Sequence, residues 1–254
     1  MKIGCKKDIG KIKKNDEDYY IVDDEIGLYL VADGVGGSNA GEVASKLGAE
    51  TIREVIKEKL TAQNEQDKTP IIKEAVDLAH KKILDQASNE DHSGMGTTIV
   101  LSLYQNNILY IAHVGDSRAY IINSRDMKRL TVDHSVVGSL VAAGKISEKE
   151  ARKHTMRNVI TRCLGRNEYY FGPDLQSYPF NRGDILLLCS DGLTSMIEDH
   201  VINKVVSKKR GNLQNCADEL VRLANKKGGY DNITVLLVEN DLCTQNNAKT
   251  EDTK

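Results

Sequence analysis

The chain has 254 residues and a formal net charge of -2, because 35 Lys and Arg face 37 Asp and Glu. This balance argues against a nucleic-acid-binding protein and against one that adheres to anionic membranes. A hydrophobic share of 40% and a charged share of 28% are typical of a soluble globular protein. The sequence contains no apolar run of the length of a signal core or a membrane span, so we expect a cytoplasmic protein.

The five cysteines indicate neither a disulfide framework nor a zinc site. Their number is odd and none stands in a Cys-x-x-Cys pair, so we interpret them as reduced thiols. Tryptophan is absent and there are two Phe, so the core must consist mainly of Ile, Leu, Val and Ala.

The first part of the chain predicts three strands and then two helices. Residues 1–10 and 19–22 have strand character, and apolar residues alternate along 27–33. The hairpin formed by the second and third strands is expected to bring Glu17 and Asp18 towards Asp33. The glycine-rich residues that follow Asp33 indicate backbone with positive φ or a close approach to a ligand.

Two amphipathic helices follow, over residues 41–60 and 70–84. Thr69-Pro70 predicts a helix N-cap followed by proline at the first helical position. Strands are then predicted over 97–104, 108–114 and 118–122.

The pattern of apolar and charged residues changes between residues 133 and 165. A short helix over 134–143 is expected to end at Gly144, and Ser147 and Glu150 form a capping-box pattern. The segment is charged and has no strong apolar stripe. We therefore predict a small helical flap over residues 133–165, outside the main core.

The rest of the chain returns to regular patterns. The predicted elements are a strand over 184–189, helices over 201–209 and 215–227, and a strand over 233–239. Residues 241–254 are polar and are expected to be disordered. With no repeat and no internal linker, residues 1–240 are predicted to form a single domain.

Acidic residues stand at five predicted strand ends. These are Glu17-Asp18, Asp33-Gly34, Gly115-Asp116-Ser117, Asp191-Gly192 and Asp231-Asn232. Loops at strand ends assemble sites on a rigid scaffold, and carboxylates without His or Cys partners suit Mg²⁺ or Mn²⁺ rather than zinc. Any one of them is explained by a tight turn whose Asp accepts backbone hydrogen bonds. Five in one chain favour a metal site.

Five motifs with these residues occur in a fixed order. They are Asp33-Gly34-Val35-Gly36-Gly37, Gly94-Met95-Gly96-Thr97-Thr98, Val114-Gly115-Asp116-Ser117-Arg118, Ser190-Asp191-Gly192 and Gly229-Tyr230-Asp231-Asn232. The order closely resembles the metal-dependent serine/threonine protein phosphatases of the protein phosphatase 2C type, most of all the compact bacterial members. The resemblance implies an α+β fold, a four-layer αββα sandwich of two packed antiparallel sheets flanked by helices.

The resemblance also implies two Mn²⁺ or Mg²⁺ ions per chain and a weaker third site. In the family pattern Asp33 bridges the two main ions and the carbonyl of Gly34 binds one of them. Asp191 and Asp231 complete the ligands of the other main ion. Asp116, together with Asp191, matches the third-metal site of bacterial members.

Further residues match the surroundings of this centre. Glu17 and Asp18 correspond to an acidic pair that acts partly through water, and Asn232 to a neighbour that orients the preceding aspartate. The family has arginine where this chain has Lys13, so Lys13 is expected to contact the substrate phosphate with a single ammonium. Thr97 and Thr98 resemble core strand residues, to which we assign no chemistry.

Histidines are missing from the loop after Asp33. Bacterial relatives often have histidine where this chain has Ser38, and animal members have it where this chain has Val35. The loop therefore offers no histidine as a general acid. His113 is interpreted as a core residue, and Arg118 is expected to pair with a nearby carboxylate.

The implied activity is hydrolysis of phosphoserine and phosphothreonine on proteins by a metal-activated water, opposing a bacterial Ser/Thr kinase. The expected partners are phosphorylated proteins and such a kinase, with no nucleic acid and no membrane, and we expect a monomer. One alternative is a non-catalytic phosphoprotein-binding module on the same scaffold, but such a module is expected to lose some of the carboxylates. A metal-dependent phosphodiesterase or nuclease is disfavoured by the absence of a basic groove signal.

Overall fold

The computed structural model describes residues 1–36, 40–62, 67–88 and 94–242. Gly37, Ser38, Cys243 and the rest of the predicted tail beyond Leu242 lie outside these residues, as do parts of the two polar loops between residues 61 and 96. Across the described ranges, no helix is both long and apolar enough to cross a membrane.

Eleven strands and seven helices make up the described fold. The strands are β1 (Lys2–Asp8), β2 (Asp18–Asp23), β3 (Leu28–Val35), β4 (Gly96–Thr97), β5 (Ile99–Gln105), β6 (Ile108–Val114), β7 (Arg118–Ile122), β8 (Met127–Arg129), β9 (Asp174–Pro179), β10 (Ile185–Cys189) and β11 (Ile233–Glu239). The helices are α1 (Ala40–Ala62), α2 (Thr69–Gln86), α3 (Val136–Ala142), α4 (Glu148–Ala151), α5 (Asp191–Thr194), α6 (Asp199–Lys209) and α7 (Leu213–Lys226).

The strands form two antiparallel sheets that pack face to face. One sheet has the order β1-β11-β10-β7-β8, and the other has the order β2-β3-β5-β6-β9 with β4 beside β3. Helices α1 and α2 cover the outer face of the second sheet, whereas α6 and α7 cover the outer face of the first. The predicted αββα sandwich is confirmed.

Alternation along the strands explains this layering. In β3, Leu28, Leu30 and Ala32 face the helices, whereas Tyr29 and Val31 face the other sheet. Both faces of such a strand are buried because each sheet lies between a helical layer and its partner sheet. Strands β10 and β11 alternate in the same way, so these segments are apolar at nearly every position.

Three features differ from the sequence-based expectations. Thr69 does not cap α2 but is its first residue, and the carboxylate of Asp67 accepts a hydrogen bond from its backbone N–H at 2.9 Å. Strands β8 and β9 were not predicted, since one has three residues and the other is a half-exposed edge strand with little apolar alternation. Helix α5 replaces the turn predicted after β10.

The flap, residues 133–165, leaves the sandwich after β8 and contains α3 and α4. Its base is closed where the backbone N–H of Thr161 donates to the carbonyl of His134 at 2.7 Å. The predicted capping box is present, because Ser147 and Glu150 bond each other's backbone N–H groups. The guanidinium of Arg152 donates to the carbonyl of Thr194 at 2.5 Å, which attaches the flap to α5.

Candidate metal centre

The predicted acidic residues meet at one end of the two sheets, on the floor of a cleft of about 680 Å³. The flap forms one wall of this cleft. The cleft lining includes Lys13, Glu17, Asp33, Gly34, Asp116, Asp191 and Asp231. Asp18 lies just beneath them and is 1% exposed. All of the carboxylates predicted from the sequence are therefore brought together.

Strand pairing and glycines place these carboxylates. Asp18 and Asp33 are direct cross-strand partners in β2 and β3. A Cβ at Gly34 would lie 2.1 Å from the carbonyl oxygen of Gly41, and a Cβ at Gly192 would lie 1.9 Å from that of Asn232. Only glycine permits such close backbone contacts. The Asp-Gly sequences thus allow the strand ends to approach both α1 and the turn before β11.

Two buried threonines hold the backbone around Asp33. The backbone N–H of Asp33 donates to Oγ1 of Thr98 at 3.2 Å, and Oγ1 of Thr97 donates to the carbonyl of Asp33 at 3.0 Å. The carbonyl of Asp33 also accepts from the backbone N–H of Thr98 at 2.8 Å. The strand predicted over 97–104 is observed as β4 and β5, and both pair with β3 in one register.

Asp18 has one carboxylate oxygen held and one free. Its Oδ2 accepts hydrogen bonds from the hydroxyls of Ser190 at 2.7 Å and Thr234 at 2.6 Å. Its Oδ1 is buried and has no hydrogen-bond partner among the described residues. A buried carboxylate oxygen without a partner is costly. This orphaned oxygen fits a water or cation held in the carboxylate cluster.

The electrostatics of the cluster also fit a cation. Burial raises the pKa of Asp33 and Asp116 well above the usual range, and the surrounding carboxylates raise it further. Burial is likewise the largest cause that raises the pKa of Asp191 to about 6 and that of Asp18 to about 7. Carboxylates crowded in this way repel one another when ionised. An oxygen-only set of this kind fits Mg²⁺ or Mn²⁺.

Lys13 brings a positive charge to this cluster. Its Nζ lies 2.7 Å from Oδ1 of Asp231 and 3.7 Å from Oε2 of Glu17. Burial lowers the pKa of the ammonium, but the hydrogen bond to Asp231 and the nearby carboxylates outweigh this effect and raise it overall. Lys13 therefore stays protonated at the rim of the cleft, in reach of an anion bound there.

We expect Lys13→Ala to raise the Michaelis constant for a phosphopeptide by roughly tenfold or more, since a charge-assisted hydrogen bond contributes about 1.5–3 kcal/mol. Lys13→Arg should match or lower the wild-type constant, because a guanidinium can hold two phosphate oxygens. Steady-state kinetics of both variants tests this, with Lys11→Ala and Lys14→Ala as neighbouring controls. Identical constants for all four variants would show that Lys13 does not bind the phosphate.

Asn232 joins two parts of the site. Its backbone N–H donates to Oδ1 of Asp231 at 2.8 Å. Its side-chain oxygen accepts from the backbone N–H of Glu17 at 2.9 Å, and its amide donates to the carbonyls of Ile9 and Asn15 at 3.0 Å each. The side chain therefore fixes the loop that carries Glu17, whereas the backbone contacts the aspartate.

The family comparison agrees with this geometry. A family model described as "Protein phosphatase 2C" matches residues 9–233. The chain belongs to the protein phosphatase 2C family. The matched residues include every carboxylate of the cluster, from Glu17 to Asp231.

Relatives of this protein phosphatase 2C chain include the serine/threonine phosphatase stp of Listeria monocytogenes, 37% identical over 239 residues, covering 92% of this chain and 94% of the relative. Protein phosphatase PhpP of Streptococcus pneumoniae is 35% identical over 243 residues, covering 94% of this chain and 97% of the relative. The structure of Mycobacterium tuberculosis PstP/Ppp matches with a TM-score of 0.85 at 30% identity, covering 95% of this chain and 99% of that one. A structure of the PstP catalytic domain in complex with two manganese ions matches with a TM-score of 0.82 at 30% identity, covering 94% and 97%.

Sequence reasoning missed the hydroxyl groups that support this protein phosphatase 2C centre. Thr97 and Thr98 hold Asp33, whereas Ser190 and Thr234 hold Asp18. Each of the four lies within three positions of a motif glycine or acidic residue. Thr97, Thr98 and Ser190 are members of the quoted motifs and Thr234 lies three positions after Asp231, but their partners are far away along the chain.

Proposed function

We propose that the chain hydrolyses phosphoserine and phosphothreonine on proteins, using two Mn²⁺ or Mg²⁺ ions held in the cleft and a weaker third ion. The observation that carries the proposal is the convergence of oxygen-only carboxylates, with one orphaned buried oxygen, on the floor of a cleft large enough for a phosphorylated side chain. Residues 1–240 act as one phosphatase domain that includes the flap over 133–165.

In this proposal each ion has its own set of ligands in the cleft. Asp33, the carbonyl of Gly34, Asp191 and Asp231 would hold the two main ions. Glu17 and Asp18 would act partly through water, and Asp116 would hold the third ion together with Asp191.

When bound, such ions lower the pKa of a water for attack on phosphorus and offset the charge that develops on the phosphoryl oxygens. The chain's own groups position the reactants. Lys13 donates to a phosphoryl oxygen, and Oδ1 of Asp18 orients solvent at the base of the cleft. The described cleft lining contains no His or Cys, so we expect no phosphohistidine or phosphocysteine intermediate.

The same proposal covers location and partners. We infer a monomeric cytoplasmic phosphatase that opposes a Ser/Thr protein kinase and does not act on nucleic acid or membranes. The net charge of -2 supports the absence of a nucleic-acid or anionic-membrane partner.

Hydrolysis of p-nitrophenyl phosphate and of a phosphothreonine peptide, with and without added Mn²⁺, tests the function. Metal-dependent release of phosphate from both is the expected result, and chelation should abolish it. Saturable binding of the phosphopeptide without any metal-dependent turnover would instead establish a phosphoprotein-binding module.

Asp116→Ala is expected to leave the two tight metal sites filled but to lower turnover by roughly tenfold or more. The third ion would have fewer protein ligands, so it binds weakly and contributes little to the tight sites. Calorimetry with Mn²⁺ and steady-state kinetics together check this, with Asp218→Ala on exposed α7 as the control. Loss of tight binding in Asp116→Ala would place this residue among the ligands of the main pair.

Hydrogen exchange is expected to be faster in the flap than in β10 and β11. The flap has weak apolar periodicity and its helices α3 and α4 are short, so its local opening should cost little free energy. Exchange measured by mass spectrometry over residues 133–165, 184–189 and 233–239 makes the comparison. Equal protection of all three segments would contradict a mobile flap.

A further inference from the structure

A second cluster of titratable side chains lies outside the carboxylate centre. Ligand atoms of His113, His134 and Asp174 lie within 4.8 Å of one another. The two histidines are 5% and 6% exposed, and their rings stack with centroids 4.5 Å apart. This composition suits a metal site, so the hydrogen bonds of each ring nitrogen decide what the cluster does.

Both nitrogens of His134 are already engaged. Its Nδ1 accepts a hydrogen bond from the backbone N–H of Gly115 at 3.1 Å, and its Nε2 lies 3.2 Å from Oδ2 of Asp174. A nitrogen that accepts from an N–H carries a lone pair, so the proton of the neutral ring is on Nε2 and is donated to Asp174. Burial, and then the neighbouring His113, lower the pKa of His134 to about 4 and keep the ring neutral. A cation would have to displace Gly115 from the lone pair.

Gly115 is held by His134 from two directions. Besides donating to the ring, Gly115 accepts a hydrogen bond at its carbonyl from the backbone N–H of His134 at 2.9 Å. Its φ is +110°, and a Cβ there would lie 2.5 Å from Cβ of Thr98. On that side the hydroxyls of Thr98 and Ser117 hydrogen-bond at 2.9 Å. The turn that presents Asp116 is thus clamped between Thr98 and His134.

The same contacts reach the far end of the flap, whose first residues include His134. Oδ1 of Asp174 accepts a hydrogen bond from Nη1 of Arg162 at 2.8 Å, and the carbonyl of His134 accepts from the backbone N–H of Thr161 at 2.7 Å. Asp174 therefore holds the ring of His134 with one oxygen and the end of the flap with the other. The contacts form a continuous chain from Arg162 to the backbone N–H next to Asp116.

We propose that His134, oriented by Asp174, is a positioning residue that fixes the turn bearing Asp116, and that Arg162 connects this clamp to the far end of the flap. The inference rests on the proposed function, because Asp116 is assigned there to the third ion. It assigns to His134 and Asp174 a mechanical role in place of metal binding. Loss of an outer partner of this kind lowers metal affinity or activity by about 10–100-fold.

The first test needs no activity. In the metal-free protein, His134→Leu should speed hydrogen exchange of the Gly115 amide by about fivefold or more, the equivalent of one hydrogen bond of about 1 kcal/mol. His134→Asn should restore protection, because its Oδ1 can take the place of Nδ1. His80→Leu is the matched control, since His80 is also 6% exposed and its Nδ1 accepts from the N–H of Gly165 at 3.1 Å. Unchanged exchange of Gly115 in His134→Leu would overturn the clamp.

The second test asks whether the effect passes through Asp116. His134→Leu should lower kcat by about tenfold or more in the wild type but add little in the Asp116→Ala background, because residues that act as a unit are not additive. His80→Leu should have the same effect in both backgrounds. An equal loss for His134→Leu in both would show a merely structural role. If His134→Leu does not fold, Asp174→Ala takes its place in both tests.

Failure of the proposed function would be recognised separately. If the protein has no metal-dependent turnover, kcat cannot be compared between the two backgrounds. The exchange rate of the Gly115 amide still reports on the clamp in that case. Arg162→Ala extends the measurement to the flap. It should raise Gly115 exchange without a change in the Gly165 amide, and no change at Gly115 would remove the flap from the chain of contacts.

Discussion

Turnover is expected to fall by more than about 100-fold in Asp33→Ala, Asp191→Ala and Asp231→Asn, since the loss of a direct ligand should exceed that of an outer partner. The fold should remain intact. Each change removes a carboxylate from a crowded cluster in which burial and like charges raise the pKa of Asp33 and Asp191. Relief of this repulsion means that the melting temperature of the metal-free protein should not fall much.

The measurements are steady-state turnover at moderate Mn²⁺ and thermal unfolding in a chelator. Asp218→Ala, on the exposed side of α7, is the control for a lost carboxylate elsewhere on the surface. Near wild-type turnover in any of the three variants would show that its residue is not a ligand. A large drop in the metal-free melting temperature would show that the carboxylate stabilises the fold rather than the ions.

The sandwich could be predicted because its central strands are apolar on both faces and end in recognisable turn residues. Leu186 and Leu188 in β10 face the other sheet, whereas Ile185, Leu187 and Cys189 face the helices, so the whole segment is apolar and short. Glycines and acidic residues mark the ends of such segments. The edge strand β9 lacks this pattern because it is not covered on both faces, and its residues reveal little without their neighbour β6.

The carboxylates of the site could be predicted, but the contacts that hold them could not. Asp18 and Ser190 are 172 positions apart, and no local pattern links a hydroxyl to a carboxylate at that separation. Likewise, the spacing of His134 and Gly115 gives no indication that a ring nitrogen accepts a backbone N–H. Arg118 is an intermediate case. Its pairing with a carboxylate was expected, and the structure identifies the partner as Asp133.

This ion pair leads to the largest expected effect on stability. Asp133 is 8% exposed and accepts hydrogen bonds from Nε and Nη2 of Arg118, the closest at 2.6 Å, and another from Arg129. The side chain of Arg118 is itself 11% exposed. Breaking a buried pair leaves an uncompensated charge, so Asp133→Asn is expected to lower the free energy of unfolding by about 3–5 kcal/mol. Urea denaturation of both proteins measures the difference.

The pH dependence of this difference identifies the charge as its cause. Burial alone would raise the pKa of Asp133, but Arg118 and then Arg129 outweigh it, so its pKa lies below the usual value. A carboxyl with a lowered pKa stabilises the fold above its unfolded pKa of about 3.9 and loses this contribution as the pH falls through the folded pKa. The gap between wild type and Asp133→Asn should therefore be constant near neutral pH and shrink below about pH 4.

Glu148→Gln provides the matched control for this pair. Its carboxylate lies 3.1 Å from Nη1 of Arg129 but is 54% exposed. Exposed pairs contribute little, so this change should cost less than about 1 kcal/mol. An equal cost for Glu148→Gln and Asp133→Asn would mean that burial does not strengthen the inner pair. A gap that persists unchanged at low pH would assign the effect of Asp133→Asn to packing rather than to the lost charge.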